Sequence, residues 1–263
     1  MKVKPLISVL MTSYNREEYI GEAIESVLAS TYENFELIVV DDKSNDGTVQ
    51  TAKTYAAIDN RVKVFENEVN LGDYPNRNKA ATFATGKYIK YLDSDDIIYP
   101  HGLEVMVSCM ERFPSAGFGL SSKGEVKKPY PVLLSSAEAY REHFSGFGHF
   151  DRAPGSSIIR LDAFNSVGGF SGKRMIGDNE LWFILARNFP MVKFTRDLVW
   201  DRVHSGQESK TVYARKYDQL RHAVIYEALT HKACPLDEKL RSDILRRLRT
   251  AKLKRLVKRI FKL

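Results

Sequence analysis

Three carboxylates fall within four residues in Tyr91-Leu92-Asp93-Ser94-Asp95-Asp96, directly after an apolar run. Along an extended chain alternate side chains point the same way, so Asp93 and Asp95 are expected to face each other. Their repulsion raises their pKa unless a cation sits beside them. An all-oxygen set with open positions suits Mg²⁺ or Mn²⁺ shared with a diphosphate. A solvated acidic turn or a helix cap is the ordinary alternative for so short a motif. A second pair, Asp41-Asp42, follows the apolar run 37–40, and Tyr14 follows a third run, 6–12. A carboxylate so placed can accept from a nucleobase N–H, and a tyrosine ring can stack on the base. Taken singly, Asp42 reads equally as a turn residue and Tyr14 as a half-buried surface aromatic. Other chemistries lack their signatures. Neither a P-loop nor a GxGxxG fingerprint is present, since Gly146-Phe147-Gly148 has no third glycine and no preceding strand. Cys109 and Cys234 lie far apart without CxxC spacing, which points away from a disulfide framework or a thiolate metal site.

The elements that must position these groups follow from the hydrophobic period. Residues 6–12 are short and apolar, residues 17–29 place Ile20, Ala23, Ile24, Val27 and Leu28 on one helical face, and residues 35–40 form another buried strand. Asp46, ahead of Gly47 and Thr48, is placed to cap a helix running to about residue 57. Residues 62–65 and 88–92 read as strands, and residues 76–84 and the stretch from Pro100 to about residue 112 as helices. This alternation predicts an α/β fold, a mostly parallel sheet with helices on both faces, with ligands beyond the carboxyl ends of the strands. Tyr14, Asp42, Asp93 and Asp95 all belong to that edge. Residues 115–155 give no assignment. Helix returns at 179–187, and again at 213–232 and 236–262. The expected organisation is one domain over 1–205, with halves 1–100 and 101–205, followed by a helical extension over 206–263.

Hydrophobic residues make up 43% of the 263-residue chain and charged residues 28%, which excludes wholesale disorder. No apolar run approaches the roughly 18 residues of a membrane span. Residues 6–11 follow two lysines as in a signal peptide, but Ser8 interrupts them and no small-residue cleavage pattern follows, so they read as strand. The net charge of +7 is a property of the tail. Residues 239–263 hold eleven Lys or Arg against Asp243 alone, a net of +10, and the rest of the chain carries −3. Nucleic-acid binding by the whole protein is therefore not expected. In the tail Leu240, Ile244, Leu248, Leu256 and Ile260 recur at multiples of four, joined by Leu245, Val257 and Phe261. The pattern predicts a basic amphipathic helix over 236–263 lying on an anionic membrane surface. Docking on the protein's own body is the alternative. The tail lacks the interleaved aromatics on which RNA bases stack.

Taken in order, Ser8-Val9-Leu10-Met11-Thr12-Ser13-Tyr14-Asn15, Val39-Val40-Asp41-Asp42-Lys43-Ser44-Asn45-Asp46-Gly47-Thr48, Asn76-Arg77-Asn78-Lys79-Ala80 and Leu92-Asp93-Ser94-Asp95-Asp96 resemble the motifs of family-2 glycosyltransferases with the GT-A fold. Each is weak alone and the ordered set is specific. Val167-Gly168-Gly169-Phe170, followed by Asp178-Asn179-Glu180-Leu181-Trp182, extends the resemblance to about residue 187. It implies that Tyr14 and Asp42 hold the nucleotide base, that Thr12, Asn15, Arg77, Asp93 and Ser94 line the donor pocket, and that Asp93 and Asp95 bind Mn²⁺ or Mg²⁺. His204, in Arg202-Val203-His204-Ser205-Gly206-Gln207, matches a position that reaches the metal or diphosphate, and Asp178 matches the general base. One departure stands out. The family usually has Glu-Asp where this chain has Gly177-Asp178, and Ser171-Gly172-Lys173 stands where an acidic residue is common. Asp178 is also placed to cap the helix 179–187.

The implied reaction is a metal-dependent, inverting transfer of a sugar from a nucleotide-sugar donor to a saccharide acceptor. UDP is the first expectation, because Asp42 and Tyr14 suit uracil. The metal at Asp95 would offset charge on the leaving diphosphate while Asp178 takes the proton of the attacking hydroxyl. With the basic tail, the expected acceptor is polyprenyl-linked, in assembly of a surface polysaccharide, and the expected location is cytoplasmic, peripheral on the inner face of the plasma membrane. The rival readings are a catalytically degenerate nucleotide- or glycan-binding module and a sugar-nucleotide pyrophosphorylase. Joint retention of Asp93, Asp95 and Asp178 speaks against the first, and the lack of a glycine-rich basic loop near the amino terminus against the second.

Overall fold

The computed structural model describes residues 4–123, 129–204 and 217–260, with side chains described through residue 250 except at position 218. Strands β1 (Ile7–Ser13), β2 (Phe35–Asp41), β3 (Val62–Glu66) and β4 (Tyr88–Asp93) alternate with helices α1 (Ile20–Leu28), α2 (Thr48–Ile58) and α3 (Asp73–Thr82). The strands pair in parallel in the order β3-β2-β1-β4. Because side chains alternate along a strand, Ile7, Val9 and Met11 pack with the residues of α1 and α2, and Leu10 packs with those of α3. With both faces covered the strands are apolar almost throughout, and β2 is buried at every position. The chain runs outward from β1 to β3 and then returns to the other side of β1 as β4. That reversal opens a crevice at the carboxyl ends of β1 and β4, where Thr12 lies in register with Asp93.

The sheet continues past β4 under different pairing. After β5 (Ile97–Ile98) and α4 (Gly102–Glu111) come β6 (Phe118–Ser121), β7 (Val132–Leu134), α5 (Ser136–Glu142), β8 (Ser157–Arg160), α6 (Leu161–Ser166), α7 (Gly177–Asn188) and β9 (Met191–Phe194). Their order in the sheet is β4-β8-β6-β9-β7. β8 is antiparallel to both neighbours, β7 is antiparallel to β9, and only β6 and β9 run parallel. Outside this sheet, β10 (Val199–Trp200) pairs antiparallel with β5. Helices α8 (Tyr217–Thr230) and α9 (Glu238–Ile260) complete the described chain.

Several expected boundaries shift for identifiable reasons. α1 begins at Ile20 and not at residue 17, because the Glu17 carboxylate accepts the Gly47 N–H (2.9 Å) and ties the chain to the loop before α2. The cap position of α2 is Gly47, but Asp46 still accepts the Thr48 N–H (3.0 Å), filling the same need from one residue further out. α3 starts three residues early at Asp73, since Pro75 is tolerated in a first turn. The unassigned stretch contains strands of three and four residues, too short to show a period. It also contains α5, opened by a reciprocal capping box between Ser135 and Glu138.

The tail departs most from expectation. Ile244 is only 5% exposed, and Leu240, Leu245 and Leu248 pack with it against the core that includes Val224, Ile225, Ala228 and Leu229 of α8. Residues 236–250 therefore dock on the protein's own body, and their apolar side chains do not face lipid. The side chains of Leu256, Val257, Ile260 and Phe261 lie outside the described residues. Among the described residues no helix is long and apolar enough to cross a membrane.

Candidate functional site

At the end of β4 the backbone leaves the extended conformation at once, and the Asp96 N–H bonds the Asp93 carbonyl (3.0 Å). The expected strand alternation of Asp93 and Asp95 is replaced by this turn. The turn gathers three carboxylates, because ligand oxygens of Asp93, Asp95 and Asp96 lie within 4.8 Å of one another. Ser94 is buried at the turn's centre. Arginines and a histidine surround the cluster. Arg77 Nη2 donates to Asp93 (2.7 Å), Arg16 Nε donates to Asp95 (2.9 Å), and His204 Nε2 sits 2.9 Å from the same Asp95 oxygen. The Arg202 backbone N–H donates to Asp96 (3.0 Å) and its Nε to the Asp95 carbonyl (2.9 Å). His204 is thus brought to the acidic turn as the sequence suggested, with its ring against Tyr19 at 4.8 Å.

Burial, and next the charge of Asp93, raises the pKa of Asp96 well above the ordinary carboxylate range. Such a group gains from a nearby cation. Lys90, fully buried on the same strand, spends its ammonium on the carbonyls of Tyr91 (2.6 Å) and Gly155, and burial lowers its pKa to about 8. The donor set of the turn is three hard carboxylates, half-buried or buried, and it fits Mg²⁺ or Mn²⁺.

The residues expected to hold a nucleotide base are more committed to the fold than their types suggested. The Asp42 carboxylate, 4% exposed, accepts from Asn67 Nδ2, from the Leu71 N–H and from the Gly72 N–H, each at 2.8 Å. Of roughly four acceptor sites on a carboxylate, three serve this loop and one is left for a ligand. Asn15 adopts φ 52°, a region that asparagine tolerates, and binds Ser44 through its N–H (2.8 Å) and the Asn45 N–H through its Oδ1 (3.0 Å). Its side chain joins two loops rather than reaching into the crevice. Tyr14 stands on the rim, 44% exposed, and Thr12 is half-buried on β1 between Val40 and Asp93.

Arg77 links the acidic turn to a second carboxylate. It is buried on α3, with Nε on Asp73 (2.7 Å) and Nη2 on Asp93, and its Nη1 is buried without a hydrogen-bond partner among the described residues. Burial alone would depress its pKa, but Asp73 and Asp93 hold it above the ordinary value. A buried, charged, unpaired donor is costly until an anion meets it. Arg77 also lowers the pKa of Asp178, whose carboxyl burial pushes up to about 6; the Asn179 backbone and Tyr74 act with Arg77 against that rise.

Asp178 is not the cap of its helix. The cap position is Ile176, and Asp178 lies in the first turn of α7 with one oxygen accepting the Asn179 N–H (2.7 Å). The preceding Gly177 lies against the Tyr74 ring, and a Cβ there would come within 2.9 Å of ring carbons. From the far end of the chain, Tyr217 on α8 donates to Asn179 Oδ1 (3.0 Å). Arg221 grips Asp151 with Nε and Nη2 at 2.9 and 2.8 Å. Sequence reasoning missed Arg16, Arg202, Tyr74 and Tyr217. The first two adjoin residues already singled out, Asn15 and His204, and proximity in a motif was their available signal. Tyr74 and Tyr217 carried none.

The sequence model described as Glycosyl transferase family 2 matches residues 8–168, more than half of the chain. The chain belongs to glycosyl transferase family 2. Among relatives of this family-2 chain, EpsE of Bacillus subtilis (strain 168), named a glycosyltransferase, is 42% identical over 191 residues, 69% of this chain and 67% of EpsE. WfgD of Escherichia coli, a UDP-Glc:alpha-D-GlcNAc-diphosphoundecaprenol beta-1,3-glucosyltransferase, is 44% identical over 105 residues, 40% of this chain and 41% of WfgD. Four relatives other than EpsE, WfgD included, are matched over only 33% to 49% of their own length. Among solved structures, S. aureus TarS 1-349 in complex with UDP-GlcNAc superposes with a TM-score of 0.70 over 91% of this chain and 70% of that one, at 22% identity. That likeness concerns the fold, which is of the GT-A type.

Proposed function

We propose that this family-2 protein transfers a sugar from a UDP-sugar to a hydroxyl of a saccharide acceptor, with inversion at the anomeric carbon and with Mn²⁺ or Mg²⁺ as cofactor. The observation that carries the reading is the gathering of Asp93, Asp95 and Asp96 at the carboxyl end of β4, joined through Arg77 to the neighbourhood of Asp178. Tyr14 stacks on the base and Asp42 offers its remaining acceptor site to a base N–H. Thr12 and Ser94 line the donor pocket, Asn15 shapes its wall by joining the loops of Tyr14 and Ser44, and Arg77 Nη1 meets the diphosphate. Asp93 and Asp95, with Asp96 and His204 beside them, hold the ion. When bound, the ion offsets negative charge on the leaving diphosphate. Asp178, with its pKa near 6, is ionised at neutral pH and basic enough to take the proton of the attacking hydroxyl.

The acceptor in this reading is a polyprenyl-linked saccharide of a surface polysaccharide, in keeping with the lipid diphosphate in the name of WfgD. TarS, captured with UDP-GlcNAc, supports a uridine nucleotide. The catalytic domain spans 1–205, with the donor half at 1–100 and the acceptor half at 101–205, and 206–263 is its helical extension. Contact with an anionic membrane at the inner face of the plasma membrane falls to the last thirteen residues, because 236–250 are occupied in packing.

The test is calorimetric titration of UDP into the full chain with and without Mn²⁺. Binding that depends on the ion is the expected result. If UDP, GDP and dTDP all fail to bind in either condition, a degenerate module replaces the enzyme.

A further inference from the structure

A group of cations beside α7 takes no part in the reaction described above. Phe150, Asp151 and Arg152 run along the first turns of that helix. Asn179 Nδ2 donates to the Phe150 carbonyl and lies 3.4 Å from Asp151 Oδ1, and Trp182 Nε1 donates to the Arg152 carbonyl (2.7 Å). Arg221 already neutralises Asp151 with its two-pronged grip. Lys123 follows two residues after Ser121, the β6 residue whose hydroxyl Arg152 bonds. Desolvation lowers its pKa, Asp151 attracts it, and Arg152 and Arg221 repel it. The Arg152 guanidinium donates to the Ser121 hydroxyl, while its Nε–H is buried with no partner among the described residues. The acids that Arg152 feels, Asp201 and Asp197, do not offset its desolvation, and its pKa is lowered. Asp201 in turn feels Arg152, Asp93 and Lys90, so one acid is within electrostatic reach of both the acidic turn and this guanidinium.

A sugar hydroxyl needs no such arrangement. A guanidinium whose buried N–H has no partner among the described residues, next to an exposed ammonium and an arginine shared with Asp151, is stabilised by an oxyanion that takes several charge-assisted hydrogen bonds at once. We propose that Lys123, Arg152 and Arg221 form an anion subsite beside Asp178 that receives a phosphate ester carried by the acceptor. The inference rests on the glycosyl-transfer reading and deepens it. The acceptor is a sugar phosphate or sugar diphosphate whose reacting hydroxyl meets Asp178 while its phosphate sits on this cluster. The donor diphosphate belongs elsewhere, at the ends of β1 and β4 with Arg77.

The experiment saturates the full chain with UDP and Mg²⁺ and then titrates glucose 1-phosphate, N-acetylglucosamine 1-phosphate, the two parent sugars and inorganic phosphate, with calorimetric detection. At least one sugar phosphate is expected to bind tenfold more tightly than its parent sugar and fivefold more tightly than inorganic phosphate. Arg152→Gln and Lys123→Gln should each weaken it at least tenfold while UDP affinity stays within twofold. Lys123 is exposed, so Lys123→Gln keeps the question open should Arg152→Gln not fold. The proposal is overturned if no sugar phosphate shows these preferences, if inorganic phosphate binds as well, if both variants bind like the parent, or if UDP affinity falls in parallel, which would assign the cluster to the donor. Failure of UDP itself to bind would instead strike the underlying reading and is seen before any sugar phosphate is added.

Discussion

In the sheet half built from residues 7–93 every neighbouring pair of strands is parallel, whereas the half built from residues 118–194 mixes the two directions. Parallel strands end at one edge, so the first half delivers Tyr14, Asp42 and Asp93 to a common crevice by topology alone. The second half has no such edge. Asp178 arrives on a helix, steadied by Tyr74 from the first half and by Tyr217, through Asn179, from the carboxyl-terminal helices. The proposed donor side is therefore organised by local turns and largely occupied carboxylates, and the proposed acceptor side by packing between segments distant in sequence. Substitutions should separate the two.

The largest effect is expected for Asp178→Asn. Transfer should fall by up to about 10⁴-fold, the usual range for a lost general base, with UDP affinity unchanged. Parallel loss of UDP binding would erase the proposed division of labour. Asp95→Asn should lower transfer by about 10²- to 10³-fold, the scale of losing one electrostatic stabiliser of the transition state. It should also weaken UDP binding in the presence of Mn²⁺, which titration with and without chelator reads directly. Ile244→Ala should cost about 2–4 kcal/mol of stability, because the side chain is enclosed between α9 and the body. An unchanged denaturation midpoint would return 236–250 to the membrane. Removal of residues 251–263, by contrast, should abolish affinity for anionic vesicles and leave that midpoint in place.

The pH dependence follows from the sign of the Asp178 shift. Its pKa in the folded chain is raised from the ordinary carboxylate value to about 6, so the base form is present above pH 6 and is lost as pH falls through that value. Transfer under kcat/KM conditions should drop about tenfold per unit below pH 6, and a limb centred near 4 would show an unshifted carboxylate. The smallest effect belongs to Tyr217→Phe. Loss of one hydrogen bond of about 1 kcal/mol to Asn179 should reduce kcat several-fold with the donor KM unchanged.

The same contrast explains what was legible beforehand. Four strands and their helices announced themselves through runs of the right length, and the strand-end acids marked the crevice. Asp93 and Asp95 do converge, but a turn achieves it and brings Asp96 along, which a period-two pattern cannot encode. The partners that occupy Asp42 come from residues 67–72, a contact across the fold with no signature in either segment. β6, β7 and β8 are too short for periodicity, although Ser135 and Glu138 advertised the start of α5 in plain spacing. The tail showed its apolar spacing correctly. What that face meets depends on α8, and a helix pattern cannot distinguish a protein surface from lipid.

Gly177 and the Tyr74 ring occupy adjoining space so closely that position 177 cannot gain a side chain while Tyr74 stays in place. A glutamate restored at 177, where the family usually carries one, would drive its Cβ into the ring, so a single substitution is a dead end. The viable route passes through a smaller residue at 74 first. Homologues should accordingly avoid one combination, a side chain at 177 beside an aromatic ring at 74, while glycine beside a smaller neighbour remains open as the step between the two pairings.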